Sequence, residues 1–233
     1  MKIVDNINHL LDKNQAYIAH VRTTDKEKQT LAIHLQEVAD ITKKLASKIN
    51  VAEAGELIGL LHDFGKYSTA FQNYIQSGTG LLNPDMDANY VDVIALKGKI
   101  DHSTAGAQLI WEALSKFGKN GEGKLCGQIL GLCVASHHSG LIDCLTPEGV
   151  NGFNLRISKD DERVHLTECK QNTDAHILEQ AKNLIDKQLV LSMCKQIRLL
   201  IKNEQHEQAI SEAIKCFYIG FWTRFLFSMS TSN

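Results

Sequence analysis

The chain has 233 residues, enough for one large domain with a substantial core. Lys and Arg number 25 against 27 Asp and Glu, a formal net charge of −2, which excludes a global basic footprint and leaves nucleic-acid binding to a local patch. Six cysteines without a CxxC pair exclude a disulfide framework, and no signal peptide opens the chain, which points to a reducing cytoplasm.

Only two prolines interrupt long periodic stretches, so the expected fold is all-α. Residues 28–49 carry Leu31, Leu35, Val38, Ile41, Leu45 and Ile49 on one helical face, with His34 at its edge. A second helix is predicted from Val51 to Phe64, with Gly65 as its stop and His62-Asp63 in its last turn. Residues 67–77 read as a short amphipathic helix, followed by a loop through Gly78, Gly80, Asn83, Pro84 and Asp85. Helices are predicted over 101–117, with His102 in the first turn, and over 124–137, ending on His137-His138. From 149 to 172 the chain is polar and aperiodic and reads as a surface segment with at most a short helix. Long helices near 173–203 and 206–229 close the sequence, and the absence of a repeat or a Gly/Pro-rich linker makes residues 1–233 one domain. The apolar run 213–229 carries Lys215 and Arg224 and is short for a membrane span, so it reads as a core helix.

His62-Asp63, His34, His102 and His137-His138 all fall at predicted helix ends or edges, which places them to converge as a metal centre. Imidazoles with one carboxylate suit Mn, Fe, Co, Ni or Zn, and Mn, Fe, Co or Ni better than Mg. One carboxylate can bridge two ions, and such pairs serve phosphodiester hydrolysis by activating water and neutralising charge. Asp63 is the candidate bridge, His34 and His62 candidates for one ion, and His102, His137 and His138 for the other. Lys66, one turn past His62, is a candidate for neutralising a substrate phosphate, or else a solvated charge at a helix C-terminus. His9, His20, His165, His176 and His206 have no such companions and read as ordinary surface or core residues.

Gly118 to Leu125 fits G-x-x-x-x-G-K, but Leu125 stands where a P-loop needs Ser or Thr and a helix precedes it, so it reads as an interhelical loop. Lys97 with Lys99, Lys116 to Lys124, and Lys195 with Arg198 and Lys202 are candidate contacts for single-stranded nucleic acid, or solvated helix faces.

These residues resemble the HD superfamily of metal-dependent phosphohydrolases, and more narrowly the HD nuclease of the CRISPR-associated type I helicase-nuclease. The matching runs are 31–39 (Leu-Ala-Ile-His-Leu-Gln-Glu-Val-Ala), 60–66 (Leu-Leu-His-Asp-Phe-Gly-Lys), 101–107 and 135–140, with Phe71 following the His-Asp-x-Gly-Lys motif. The resemblance implies an all-α helical bundle with a metal centre at converging helix ends. It implies one or two transition-metal ions held by His34, His62, Asp63, His102, His137 and His138. It further implies endonucleolytic and 3′-to-5′ exonucleolytic attack on single-stranded DNA, a helicase partner (fused or separate) and recruitment by an RNA-guided surveillance complex, with no membrane. The family pattern ends on a further aspartate after an aromatic-rich helix. Here Arg224-Phe225-Leu226-Phe227-Ser228-Met229 leads to Ser230-Thr231-Ser232-Asn233, so the chain is expected to stop short of that ligand. Two other readings remain open on the residues: a phosphohydrolase of nucleotides or cyclic dinucleotides, and a degenerate non-catalytic domain.

Overall fold

In the computed structural model, residues 16–138, 140–144 and 146–202 are described. The predicted helix over 206–229 and the chain end lie outside them, as do His9 and His206. The fold is all-α except for one small hairpin. Strands β1 (Ile18–Val21) and β2 (Lys28–Thr30) pair antiparallel, with Ile18 opposite Thr30 and an irregularity between Ile18 and His20. The hairpin corrects the expectation of a helix from residue 28. The helix begins at Leu31 because Thr30 is extended and its hydroxyl accepts from the Ile33 N–H.

The helices follow as α1 (Leu31–Ser47), α2 (Ala52–Leu61), a 3-10 turn (Phe64–Tyr67), α3 (Thr69–Gly78), α4 (Val93–Leu96), α5 (Thr104–Leu114) and α6 (Glu122–Ser136). After them come α7 (Gly152–Ile157), α8 (Asp161–Val164), α9 (Leu166–Asn172), α10 (Ala175–Leu184) and α11 (Lys187–Lys202). One apolar cluster joins them, from Leu31 and Leu35 on α1 through Leu57, Ile58, Leu60 and Leu61 on α2 to Ile110, Leu130 and Met193. Among the described residues no helix is long and apolar enough to cross a membrane, and the described cysteines form no disulfide.

The centre of the fold is the close packing of α1 on α2. A Cβ at Gly59 would lie 2.4 Å from the Ala39 Cα, and one at Gly55 would lie 2.4 Å from the Thr42 carbonyl oxygen. These glycines, four apart on one face, let the two backbones nearly touch. This approach carries His34 to the end of α2, where His62 sits.

Three sequence expectations are corrected. The 149–172 segment is not a loose surface stretch: it forms α7, α8 and α9, which bury Phe153, Val164, Leu166 and Cys169. The predicted 173–203 helix is two helices. Ile185 leaves helical geometry and the Asp186 carboxylate caps α11 by accepting from the Leu189 N–H at 2.7 Å. His102 lies before α5 rather than in its first turn. The Asp101 carboxylate accepts from the Thr104 N–H at 3.0 Å and its hydroxyl at 2.7 Å, so the helix starts at Thr104 and the His102 ring projects from the cap.

Candidate metal centre

The five expected histidine ligands converge on the sixth, the Asp63 carboxylate. His34 comes from the first turns of α1, His62 from the end of α2, Asp63 from the step into the 3-10 turn, His102 from the cap of α5, and His137 and His138 from the end of α6. Asp63, 2% exposed, divides them between its two oxygens. Oδ1 faces His137 Nε2 at 3.1 Å and His102 and His138 Nε2 at 3.8 Å each. Oδ2 faces His34 Nε2 at 3.2 Å, His62 Nε2 at 3.3 Å and the Lys66 ammonium at 2.8 Å. His138 is exposed at the rim, and its ring lies 3.9 Å from that of His137.

Gly65 has a different task from the helix stop expected of it. Its backbone stays out of the left-handed region. Its N–H donates to the His102 carbonyl at 3.0 Å, and a Cβ there would lie 2.4 Å from that oxygen. Only glycine lets the His62-Asp63 turn sit this close to the His102 backbone.

Lys66, expected to meet a substrate phosphate, is 4% exposed. Its ammonium spans Asp63 Oδ2 and the Ala19 carbonyl (3.3 Å) and stands over the Phe71 ring. Burial alone pushes the Asp63 carboxyl up, but the imidazoles around it, His62 foremost, and the Lys66 ammonium outweigh it and hold it well below the usual carboxylate range. His102 is pushed down to about 4, by burial first, partly countered by Asp63. His137 is also lowered, again by burial. Both rings are therefore neutral near pH 7, the form that ligates metals.

A cation fits this arrangement better than protons do. The His137 Nδ1–H donates to the Val134 carbonyl at 2.7 Å, so in the neutral ring the lone pair is on Nε2, aimed at a carboxylate oxygen 3.1 Å away. Two lone pairs at that distance repel unless a positive ion lies near both. The His62 Nδ1–H donates to the Gly59 carbonyl at 2.8 Å and exposes its Nε2 in the same way. His102 has no hydrogen-bond partner at either ring nitrogen although both are buried. A cation on its Nε2, which faces Asp63 Oδ1, would give that nitrogen a partner. The donor atoms of Asp63, His102, His137 and His138 lie within 4.8 Å of one another, as do those of His20, His34 and Asp63.

His20 is the residue that sequence reasoning missed. Its ring packs edge-on against His34 with centroids 4.7 Å apart. The signal available was the apolar run Tyr17-Ile18-Ala19-His20-Val21 before Thr23-Thr24-Asp25, a strand followed by turn formers.

Arg156, from the segment read as loose surface, ties two ligand-bearing helix ends together. Its Nη2 donates to the Ser103 hydroxyl at 2.9 Å and to the Ala135 carbonyl at 3.0 Å, beside His102 and His137. Arg156→Met is expected to weaken metal binding about tenfold, the lower end for loss of an outer partner of a ligand, with helical content unchanged. Titration calorimetry beside circular dichroism checks this; unchanged affinity would mean the helix ends hold without the clamp.

Of the basic clusters, Lys99 lines a cavity of about 450 Å³ with Asp101, Lys159, Arg163 and His165, next to His102. Lys119, Lys195 and Arg198 come together with Lys187 around a groove at the start of α6. That groove lies about 22 Å from His137, the length of α6 at ~1.5 Å per residue. Of the Gly118 to Leu125 run, expected as an interhelical loop, residues 118–121 belong to the link between α5 and α6 and residues 122–125 are already the first turn of α6.

A family model described as Cas3, HD domain, matches residues 7–213, well over half of the chain. No curated protein matches it.

Proposed function

Because the chain belongs to the Cas3 HD-domain family, a family of metal-dependent phosphohydrolases and nucleases of CRISPR systems, we propose that it hydrolyses the phosphodiester bonds of single-stranded DNA, both internally and from the 3′ end. The observation that carries the reading is the division of five imidazoles between the two oxygens of one buried carboxylate. A divalent metal bound there supplies activation of water and neutralisation of phosphate charge. Mixed imidazole and carboxylate donors favour Mn, Fe, Co or Ni over Mg.

The chain's own residues set the conditions for this chemistry. Asp63 stays ionised and presents one oxygen to each side. His62 and His137 keep their Nδ1 protons on backbone carbonyls, so their Nε2 lone pairs stay available. His34, His102 and His138 complete the ligand set, with His138 at the open rim where substrate enters. Lys66 fixes Asp63 as its buried counter-ion. Lys99 and Arg163, around the cavity beside His102, suit the backbone of an approaching strand, whereas Lys159 is paired with Asp101. A CRISPR helicase and an RNA-guided surveillance complex are the partners that would present an opened strand.

The test is cleavage of circular single-stranded DNA by metal-stripped protein resupplied with Mn, Co or Ni. Linear and then shortened DNA is expected, only with metal. Hydrolysis of nucleotides or cyclic dinucleotides with the circle left intact would overturn the DNA reading.

A further inference from the structure

We propose that His20 is a ligand on the Oδ2 side of Asp63, so that it joins His34, His62 and Asp63 in holding a second ion, distinct from the one on the His102, His137 and His138 side. The inference rests on reading the His/Asp cluster as a metal centre. It adds a residue that the motif-bearing runs do not contain.

The geometry of β1 supports it. The backbone of Ile18 is held as though by a neighbouring strand, but by a side chain. The Gln72 Oε1 accepts from the Ile18 N–H at 3.0 Å, and its Nε2 donates to the Ile18 carbonyl at 3.0 Å and to the Lys66 carbonyl at 2.8 Å. The next carbonyl, that of Ala19, accepts from the Lys66 ammonium. Gln72 and Lys66 are both buried, so two of the more expensive groups to bury are committed to fixing two consecutive peptides. The residue that follows is His20. Its ring reaches His34, and its donor atom lies within 4.8 Å of those of His34 and Asp63. His20 is exposed, so the position does not need an aromatic ring for the core. The opposite group, of Asp63, His102, His137 and His138, does not include it.

The two sides are unequal. On the Oδ2 side the Lys66 ammonium already stands 2.8 Å from the carboxylate, whereas no cationic side chain of Lys or Arg contacts Oδ1 among the described residues. The second ion competes with Lys66 and binds more weakly than the first.

The experiment is Mn titration of the full chain by calorimetry, with metal content by mass spectrometry and electron paramagnetic resonance at saturation. The variants are His20→Phe, which keeps a ring against His34 but cannot ligate, and His20→Ala. The parent is expected to bind two ions of unequal affinity, with a spin-coupled signal from ions about 3.5–4 Å apart. Both variants are expected to keep the tighter ion and to lose the weaker one, or bind it at least about tenfold less well, with the coupled signal gone. Two ions of parental affinity in His20→Phe would overturn the proposal, as would a parent that takes one ion unaffected by either variant. A parent that binds none would overturn the metal reading itself.

Discussion

Asp63→Ala is expected to abolish metal-dependent cleavage and to strip the protein of bound metal. Every expected ligand faces one of the two oxygens of Asp63, and no other carboxylate contacts them among the described residues. Loss of an outer partner of a ligand already lowers affinity or activity about 10–100-fold, so loss of the anionic ligand common to both sides must exceed the upper figure. The variant also leaves the Lys66 ammonium buried without its counter-ion. Breaking a buried pair in this way costs about 3–5 kcal/mol, so a lower unfolding midpoint in denaturant is expected as well. Asp63→Ala combined with Lys66→Met separates the two effects: stability recovers, while metal binding and cleavage do not. Metal content, cleavage and denaturant unfolding on the three proteins make the check. Cleavage surviving in Asp63→Ala would place the reactive centre elsewhere.

Gly59→Ala is expected to be the most damaging change that touches no functional side chain. The added Cβ would meet the Cα of Ala39 at 2.4 Å and its backbone nitrogen at 2.6 Å. A helix backbone cannot yield locally, so α1 must move outward from α2. Overpacking of this kind costs about 1–3 kcal/mol, and the upper end is expected because the obstacle is main chain. The displacement also moves His34 away from His62, now 3.2 Å apart between Nε2 atoms, so metal affinity falls along with stability. Gly78→Ala is the control, because its Cβ would meet only the Val93 side chain at 3.3 Å, which can turn aside. Urea unfolding and metal titration of both variants should show a large double loss for Gly59→Ala and little change for Gly78→Ala. Equal effects would mean that the packing of α1 on α2 tolerates separation.

How much of this was legible in the sequence depends on the range of the information. The helices that carry ligands show period-3.6 faces, and the ligands sit at their ends, so Asp63 and its five histidines could be read as one centre from spacing and resemblance. The helical identity of α7, α8 and α9 could not, because each is short and buries only one or two residues, such as Phe153 or Val164, too few to show a period. His20 was hidden for another reason. It reaches the centre through hydrogen bonds between Ile18 and Gln72, 54 residues apart, and nothing local to Tyr17–Val21 records that tie. Gly65 reads as a helix stop, the usual role of a glycine after a helix, whereas its need for a missing side chain is set by His102, far along the chain. Lys66 could be placed near the centre by its spacing, but its burial against Asp63 depends on β1 lying over it.

The spread of the ligands along the chain bears on how the protein folds. His34 and Asp63 are 29 residues apart and Asp63 and His137 are 74 apart, so an unfolded chain holds no preformed site. An ion that recognises the assembled cluster binds only the native state, and its binding free energy becomes folding free energy. At a hundred times its dissociation constant, such an ion shifts the equilibrium by about 2.7 kcal/mol. An ion bound there would therefore shrink the unfolded population, and with it the fraction open to proteolysis, in the same proportion.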